Sequence, residues 1–401
     1  MDFPLVWAEV DLQAIAHNVR ALRQITNPGA RLMAVVKANA YGHGVVEVTR
    51  QALENGAEAL GVARLKEGLE LRTAGFDAPI LIFGYTAPAL AKKLVEFDLT
   101  QTVWSYQNAE ALSAAVPSGK PIKVHLKVDS GMGRLGLLPD CRRLSVPGTS
   151  SAKSALQEVE SIARLAGLRL EGVYTHFASA DSADKSYAVK QFEIFMAFLD
   201  ELRKAGIDIP VRHAANSAAI IDLPETHLDL VRPGISIYGL YPSDEVDKRR
   251  ILLKPAMMLK SRVVHLKRVP AGFKVSYGMT YETKAPTTIA SVPVGYADGF
   301  SRLLSSRGQM LVGGQRAPVV GRVCMDQTML DVGHVPDVKI EDEVVVFGRQ
   351  GDAFISVDEI AASLNTINYE IVSALTARIP IIYLYLMPPP AASTPVFSTA
   401  R

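Results

Sequence analysis

Cysteine is almost absent from this chain of 401 residues, with Cys141 and Cys324 the only two. They stand far apart, with no CxxC pair and no Cys/His cluster, so neither a disulfide framework nor a zinc or other metal site is suggested. An excess of one charge is also missing. The 43 Lys and Arg face 41 Asp and Glu, a formal net charge of +2, where a nucleic-acid binder would carry a basic stripe or a markedly basic domain. No uninterrupted apolar run is long enough to span a bilayer. The start, Met1-Asp2-Phe3-Pro4-Leu5, has neither the basic nor the apolar segment of an export signal. A cytoplasmic chain with a small-molecule task is expected, binding neither nucleic acid nor membrane. With 48% hydrophobic against 21% charged residues, it can bury the core of one large α/β domain and a smaller second one.

From Leu32 to about Tyr241, short apolar or β-branched runs alternate with helical periodicity, the signature of βα units around a parallel sheet. The strands read as Leu32–Lys37, Ala59–Ala63, Pro79–Gly84, Gln101–Ser105, Lys123–Asp129, Leu170–Phe177, Val211–Asn216 and Asp229–Ile235. Amphipathic stretches lie between them at Val45–Asn55, Leu65–Ala74, Ser154–Ala166 and Lys185–Ala205. Eight strands close a (β/α)8 TIM-type barrel. An open doubly wound sheet is the alternative, disfavoured by the strand count and by the lack of GxGxxG after the first strand. Past Tyr241 the texture becomes mostly β, with strands at Ser261–Val269, Phe273–Thr283, Thr287–Val294, Met310–Val312, Val319–Cys324, Glu343–Phe347 and Ile381–Leu386, and a helix at Val357–Leu364. The expected division is 1–245 for the barrel and 246–401 for a C-terminal mostly-β domain, against which the first few residues would pack. Poor order is expected at Cys141–Lys153 and in the tail from about 388.

Active sites of such barrels lie at the C-terminal ends of the strands, so polar residues there are the candidates. Lys37 ends the first strand and points into the barrel mouth, where partial desolvation would favour a nucleophilic amine. It could equally be a surface lysine, but Lys37-Ala38-Asn39-Ala40-Tyr41-Gly42-His43-Gly44 sets small residues and a phenol beside it, a setting for a planar aromatic cofactor held as a Schiff base. Asn216-Ser217 and Arg232-Pro233-Gly234-Ile235 end strands seven and eight, the usual phosphate-binding corner. His176 ends strand six, as a ring-stacking or proton-shuttling group or as a satisfied barrel histidine. Strand five runs through Lys127 into a Gly-rich turn delivering Arg134, which could grip a carboxylate with two parallel hydrogen bonds.

The stretch Ala34–Gly44 closely resembles the pyridoxal-phosphate attachment motif of the alanine racemase family. Lys127–Gly136, Thr175–Ala178, Asn216–Ala218, Val231–Gly239, Val275–Tyr281, Gly295–Gly299, Gly321–Gln327 and Asn365–Glu370 resemble that family's blocks in the same order, over nearly the full chain. The resemblance implies a pyridoxal 5'-phosphate (PLP)-dependent interconversion of L-alanine and D-alanine, supplying D-alanine for peptidoglycan or degrading it. It implies that Lys37 carries the cofactor and serves as base on one face of the substrate, taking the proton of the D-isomer, while Tyr277 takes that of the L-isomer. His176 and Arg232 are the expected cationic neighbours of that phenol. Arg232 would face the pyridine nitrogen, a placement that disfavours decarboxylation.

By the same resemblance Tyr41, Asn216, Ser217, Gly234, Ile235 and Tyr369 surround the cofactor, and Arg134 with the Met325 amide holds the substrate carboxylate. Lys127, Cys324 and Asp326 support them, Lys127 either carbamylated or paired unmodified with a local carboxylate. Asp181, Tyr296, Arg302 and Arg322 form the entryway. A head-to-tail homodimer with active sites shared between chains is implied. Two rival readings stand beside it: a racemase of broader specificity, and a non-catalytic PLP carrier, which would resemble the first domain only.

Overall fold

The computed structural model describes residues 4–116, 119–139 and 154–385, so the segment Cys141–Lys153 and the tail from about 388 lie outside the described residues. The chain opens with β1 (Val6–Asp11), whose last residue caps the helix Leu12–Ile25 by accepting from the Gln13 and Ala14 amides at 2.8 and 3.0 Å. Leu12, Ile15, Val19 and Leu22 recur at helical spacing on that helix and are buried, which fixes the face it turns inward.

Eight parallel strands follow: β2 (Arg31–Val35), β3 (Ala59–Val62), β4 (Ile80–Ile82), β5 (Thr100–Val103), β6 (Ile122–Lys127), β7 (Leu168–Tyr174), β8 (Val211–His213) and β9 (Leu230–Val231). They pair in the order β8-β7-β6-β5-β4-β3-β2-β9. The seam between β8 and β9 is closed by the Asp229 amide on the Arg212 carbonyl at 3.1 Å and the Arg232 amide on the Ala215 carbonyl at 3.0 Å. The result is a nearly closed TIM-like barrel with strands where the apolar runs place them, and the open doubly wound alternative is set aside. Its register sets Lys127 beside Tyr174 and Tyr174 beside His213, so three functional side chains share one level near the mouth.

The second, mostly-β region holds β10 (Met257–Arg262), β11 (His265–Val269), β12 (Lys274–Val275), β13 (Tyr281–Glu282), β14 (Thr287–Val292), β15 (Gln309–Val312), β16 (Gln315–Pro318), β17 (Thr328–Asp331), β18 (Glu343–Gln350), β19 (Ala353–Ile355) and β20 (Ile381–Leu384). β1 lies in its main sheet, antiparallel to β10 and parallel to β20. The run expected as one strand at Ser261–Val269 is two: the Val263 amide bonds to Asp342 and the Val264 amide to Ser291, so the backbone changes sheets there. Val319–Cys324 is not a strand. After a single bridge from Val319 to Leu330 the chain bends at Gly321, whose φ of +75° and bare Cα let the Val275 carbonyl approach. Phe273–Thr283 is a short ladder interrupted by a turn at Tyr277–Met279. Among the described residues, no helix is long and apolar enough to cross a membrane.

One junction between the two regions depends on a single glycine. Gly239 sits at φ +82°, and a Cβ there would fall 1.8 Å from the Lys254 carbonyl oxygen and 2.5 Å from the Pro255 nitrogen. Gly239→Ala combines left-handed strain with a backbone clash, and urea unfolding is expected to register a loss of at least about 2 kcal/mol. An unchanged midpoint would contradict this packing.

Candidate active site

A cleft of about 540 Å³ at the C-terminal mouth of the barrel is lined by Lys37, Tyr41, Lys127, Arg134, His176, Asn216, Ser217, Arg232, Gly234, Ile235 and Tyr369, together with Phe83, Gly84, Leu135 and Tyr174. Every barrel residue singled out from the sequence for cofactor or substrate contact is in it. Tyr369 joins them from the second region, on the helix Asn368–Ser373.

Lys37 follows β2 at the head of an unusual segment. Ala38, Asn39, Ala40 and Tyr41 all have φ between +52° and +54°, one turn of left-handed helix ending at Gly42. Burial and the Arg134 guanidinium lower the pKa of the Lys37 amine, while Glu67 pulls it back up. The arginine arrives on a turn built by one carboxylate: Asp129 accepts from the Gly131, Met132 and Gly133 amides at 2.9, 2.8 and 3.1 Å. Lys127, two residues before that carboxylate, has no ion pair within 4.0 Å among the described residues. Its ammonium lies 4.8 Å from the centre of the Tyr174 ring and 3.4 Å from the Val128 carbonyl. Burial, then Arg232, hold its pKa well below the ordinary lysine value, outweighing the attraction of Asp129. The expected pairing of an unmodified Lys127 with a local carboxylate is therefore not found.

Arg232 is buried, and both terminal nitrogens of its fork are bonded. One terminal nitrogen meets His213 Nδ1 at 2.9 Å; the other donates to the Thr175 and Ala214 carbonyls at 2.8 and 2.9 Å and approaches His176 Nδ1 at 3.4 Å. Burial pushes its pKa down to about 10, which leaves it a cation at neutral pH. A guanidinium can only donate, so His213 accepts at Nδ1 and carries its proton on Nε2, which lies 2.9 Å from His125 Nδ1. Tyr174 stacks on His213 at 4.6 Å and an interplanar angle of 11°. Gly172 makes room for this relay, because a Cβ there would lie 2.5 Å from the His125 ring. His176, expected as a second cation, lies where its charged form is disfavoured. Burial and then Arg232 and Lys127 hold its pKa well below the ordinary value.

The corner opposite Arg232 suits a phosphate. Asn216 caps the helix Ser217–Asp222 through its side chain, and the Gly234 amide donates to the Ser217 hydroxyl at 2.8 Å where the turn Ile235–Tyr238 begins. A Cβ on Gly234 would lie 2.7 Å from the Tyr41 hydroxyl, so the space is kept by a glycine and walled by a phenol. Burial raises the pKa of both Tyr41 and Tyr369, keeping them protonated donors. A lysine amine, a corner holding a hydroxyl and a glycine amide, and a buried guanidinium in one cleft are a donor set that fits PLP.

The remaining candidates do not line this cleft. Tyr277 is 72% exposed and Met325 53%. They belong to a second cluster on the β region, where Ser276 donates to the Arg322 carbonyl at 2.7 Å, and the Tyr296 and Ala297 amides bond to the Cys324 and Met325 carbonyls at 3.1 and 3.0 Å. Asp326 is paired with Arg378 at 2.7 Å, and Arg302 is exposed. Asp181 lies near enough to Tyr369 to raise its pKa. Sequence reasoning missed His125, His213 and Glu67. The first two are polar residues at inward positions of β6 and β8, a signal that strand alternation carries.

A lysine-bearing barrel mouth with this donor set and a β region defines an enzyme of the PLP-dependent barrel type. Comparison with known proteins is specific. The family described as "Alanine racemase, N-terminal domain" matches residues 10–242, and "Alanine racemase, C-terminal domain" matches 256–383. The chain is 58% identical over 379 residues to the alanine racemase of Desulfosudis oleivorans, covering 94% of this chain and 96% of that one. It is 52% identical to the alanine racemase of Methanococcus maripaludis, covering 95% and 99%. Among solved structures, the alanine racemase of Clostridium difficile superposes with a TM-score of 0.88 at 39% identity, covering 96% and 97%. That of Bacillus anthracis with bound L-Ala-P gives 0.88 at 38%, covering 96% of each chain. The chain belongs to the alanine racemase family.

The buried imidazoles make stability depend on pH. Burial pushes His125 down to about 3 and His43 to about 4, and holds His213 and His176 well below the usual value. The unfolded chain protonates these rings near pH ~6.5 and the folded one does not, so stability is complete above that pH and is lost progressively below it. Each ring contributes up to about 1.4 kcal/mol per pH unit in this window. Urea unfolding should weaken accordingly between about pH 6.5 and 4.5, and His125→Gln should flatten the slope by one histidine's share. The same slope in the variant would contradict the neutral relay.

Proposed function

We propose that this chain interconverts L-alanine and D-alanine at the cleft around Lys37, with PLP as cofactor and with the second acid–base group supplied by another copy of the chain. The observation that carries this reading is the convergence of Lys37, Arg134, Arg232 and the Ser217–Gly234 corner in one cleft. When bound, PLP supplies an electron-withdrawing ring that makes the substrate Cα proton removable near neutral pH.

The chain's own residues do the rest. Arg134 receives the alanine carboxylate, with the Met325 amide beside it. Arg232 would hold the side of the cleft where the ring nitrogen would sit; a guanidinium there would not give up a proton, which would favour simple proton removal over decarboxylation. Lys37, whose lowered pKa leaves more of it neutral, takes or returns the proton on one face, and Tyr277 serves the other. The neutral His176 passes the influence of Arg232 toward that phenol. Lys127, buried without a counter-ion, is the site for a carbamate, which would turn a costly cation into an anion for Arg134.

Tyr277 is absent from the lining of its own chain's cleft, which supports a head-to-tail homodimer in which it reaches the partner's. Exposed apolar groups on both sides support it too. Tyr85, Leu135 and Leu138 are exposed on the segments that follow β4 and β6, and Met279, Leu303, Met325 and Ile367 are exposed on the β region. Cys324 and Asp326 would steady that face, and Asp181, Tyr296, Arg302 and Arg322 would line the entryway.

Two experiments test this reading. PLP-loaded protein given L-alanine in heavy water is expected to release D-alanine deuterated at Cα; no exchange at Cα would overturn the proposed reaction. For the shared site, Lys37→Ala should lack the absorbance band of lysine-bound pyridoxal, and Tyr277→Phe should lose roughly 10²–10⁴-fold in rate while still binding cofactor. Mixed and allowed to exchange, the two inactive chains should recover up to about a quarter of wild-type activity, because half of the mixed dimers' sites carry neither substitution. No recovery despite exchange would place both residues in one chain.

A further inference from the structure

Left-handed backbone is normally visited by single residues, and each L-residue held there costs roughly 1–2 kcal/mol. Ala38, Asn39, Ala40 and Tyr41 make four such residues in a row. Something must hold the turn against its relaxation. At its far end Gly42 is pressed against the Val372 carbonyl, where a Cβ would lie 2.2 Å away, and the Asn39 side chain accepts from the Val45 amide at 2.9 Å. At its near end, directly after Lys37, the Ala38 amide donates to Glu67 Oε1 at 2.7 Å.

The other oxygen of that carboxylate has a different task. Glu67 is the third residue of the helix Leu65–Thr73, and its Oε2 accepts from the Arg64 amide at 2.9 Å and from the Ala63 amide, just beyond β3, at 2.7 Å. Reaching back to the residue before a helix is ordinary capping, and a glutamine performs it as well. The bond to Ala38 is not part of any cap. It runs to a neighbouring βα unit and falls on the residue that follows the lysine.

We infer that Glu67 is the positioning residue of Lys37, its carboxylate fastening the start of the left-handed turn to the end of β3 so that the amine is delivered to one point over the cleft. This rests on the reading of Lys37 as the cofactor lysine. The arrangement has an electrostatic side as well. The groups that face the amine are Arg134, His176, Lys127, Arg232 and Glu67, and Glu67 is the anion among them.

The test uses the full-length chain freed of carbonyl-bound cofactor by hydroxylamine. Glu67→Gln can keep the helix cap with its one carbonyl oxygen but turns a donor toward the Ala38 amide. Hydrogen exchange followed by mass spectrometry is expected to be roughly 10- to 100-fold faster for Ala38–Tyr41, the loss of a charged hydrogen bond, with the Leu65–Thr73 helix unchanged. Labelling of Lys37 with trinitrobenzenesulfonate, read by peptide mapping, should shift its pH midpoint downward, because the anion that favours the protonated amine is gone. Glu67→Asp retains the charge but is one methylene short; it should lose the turn's protection while its labelling midpoint stays near that of wild type. Unchanged exchange over Ala38–Tyr41 in both variants would overturn the inference. So would faster exchange confined to Leu65–Thr73, which would make Glu67 a cap and nothing more, and so would global unfolding of both variants. None of these readings requires bound PLP, so failure of the racemase reading would show separately, as a Lys37→Ala chain that keeps the pyridoxal band.

Discussion

The burial of Arg232 without a carboxylate partner among the described residues is the constraint on which the barrel interior depends. Removing a guanidinium from water costs several kcal/mol unless its donors find partners, and here both terminal nitrogens donate to neutral acceptors: two backbone carbonyls and an imidazole. An imidazole can accept from a guanidinium only while unprotonated, which fixes the tautomer of His213 and, through it, of His125. The same positive field reaches Lys127 and His176 and pushes both toward their neutral forms. A cleft that retains a buried cation and is also lined by Arg134 and Lys37 favours an anionic guest.

The second constraint is mechanical. The left-handed turn after Lys37 stands between the end of β3 and the helix Asn368–Ser373, and Gly44 beyond it is so close to the β region that a Cβ would lie 1.8 Å from the Tyr383 hydroxyl. The barrel and the β region therefore meet at the reactive segment, which is why Tyr369 can share the cleft with Tyr41, their rings 6.0 Å apart. Glycine at 42 and 44 is a requirement of that approach as much as of backbone conformation.

The eight barrel strands are legible in the sequence because each is a short apolar run ending in a polar or glycine-bearing segment, and the strand-end rule applied to those runs points to Lys37, Arg134, His176 and Arg232. The resemblance adds the residues of the β region, whose grouping around Tyr277 no periodicity would reveal. What escapes a reading of the sequence is of three kinds. The lowered pKa of His176 depends on its burial in the barrel and on Arg232, which is far from it along the chain. The bend at Gly321 breaks a run that reads as strand by composition alone. The bond from Glu67 to Ala38 joins two βα units through a side chain that local sequence explains completely as a helix cap, so nothing in the pattern marks its second role.

The placement of β1 has a consequence for how the molecule is made. This first strand sits between β10 and β20, which end at Arg262 and Leu384. On the ribosome the barrel strands emerge in order and can pair as they appear, but β1 must wait, with both edges unsatisfied, for partners made roughly 250 and 370 residues later. Unpaired edges of this sort are what promiscuous strand addition and chaperones act on. Completion of the main β sheet thus waits for β20, and a chain cut before Ile381 would leave β1 with one edge unpaired.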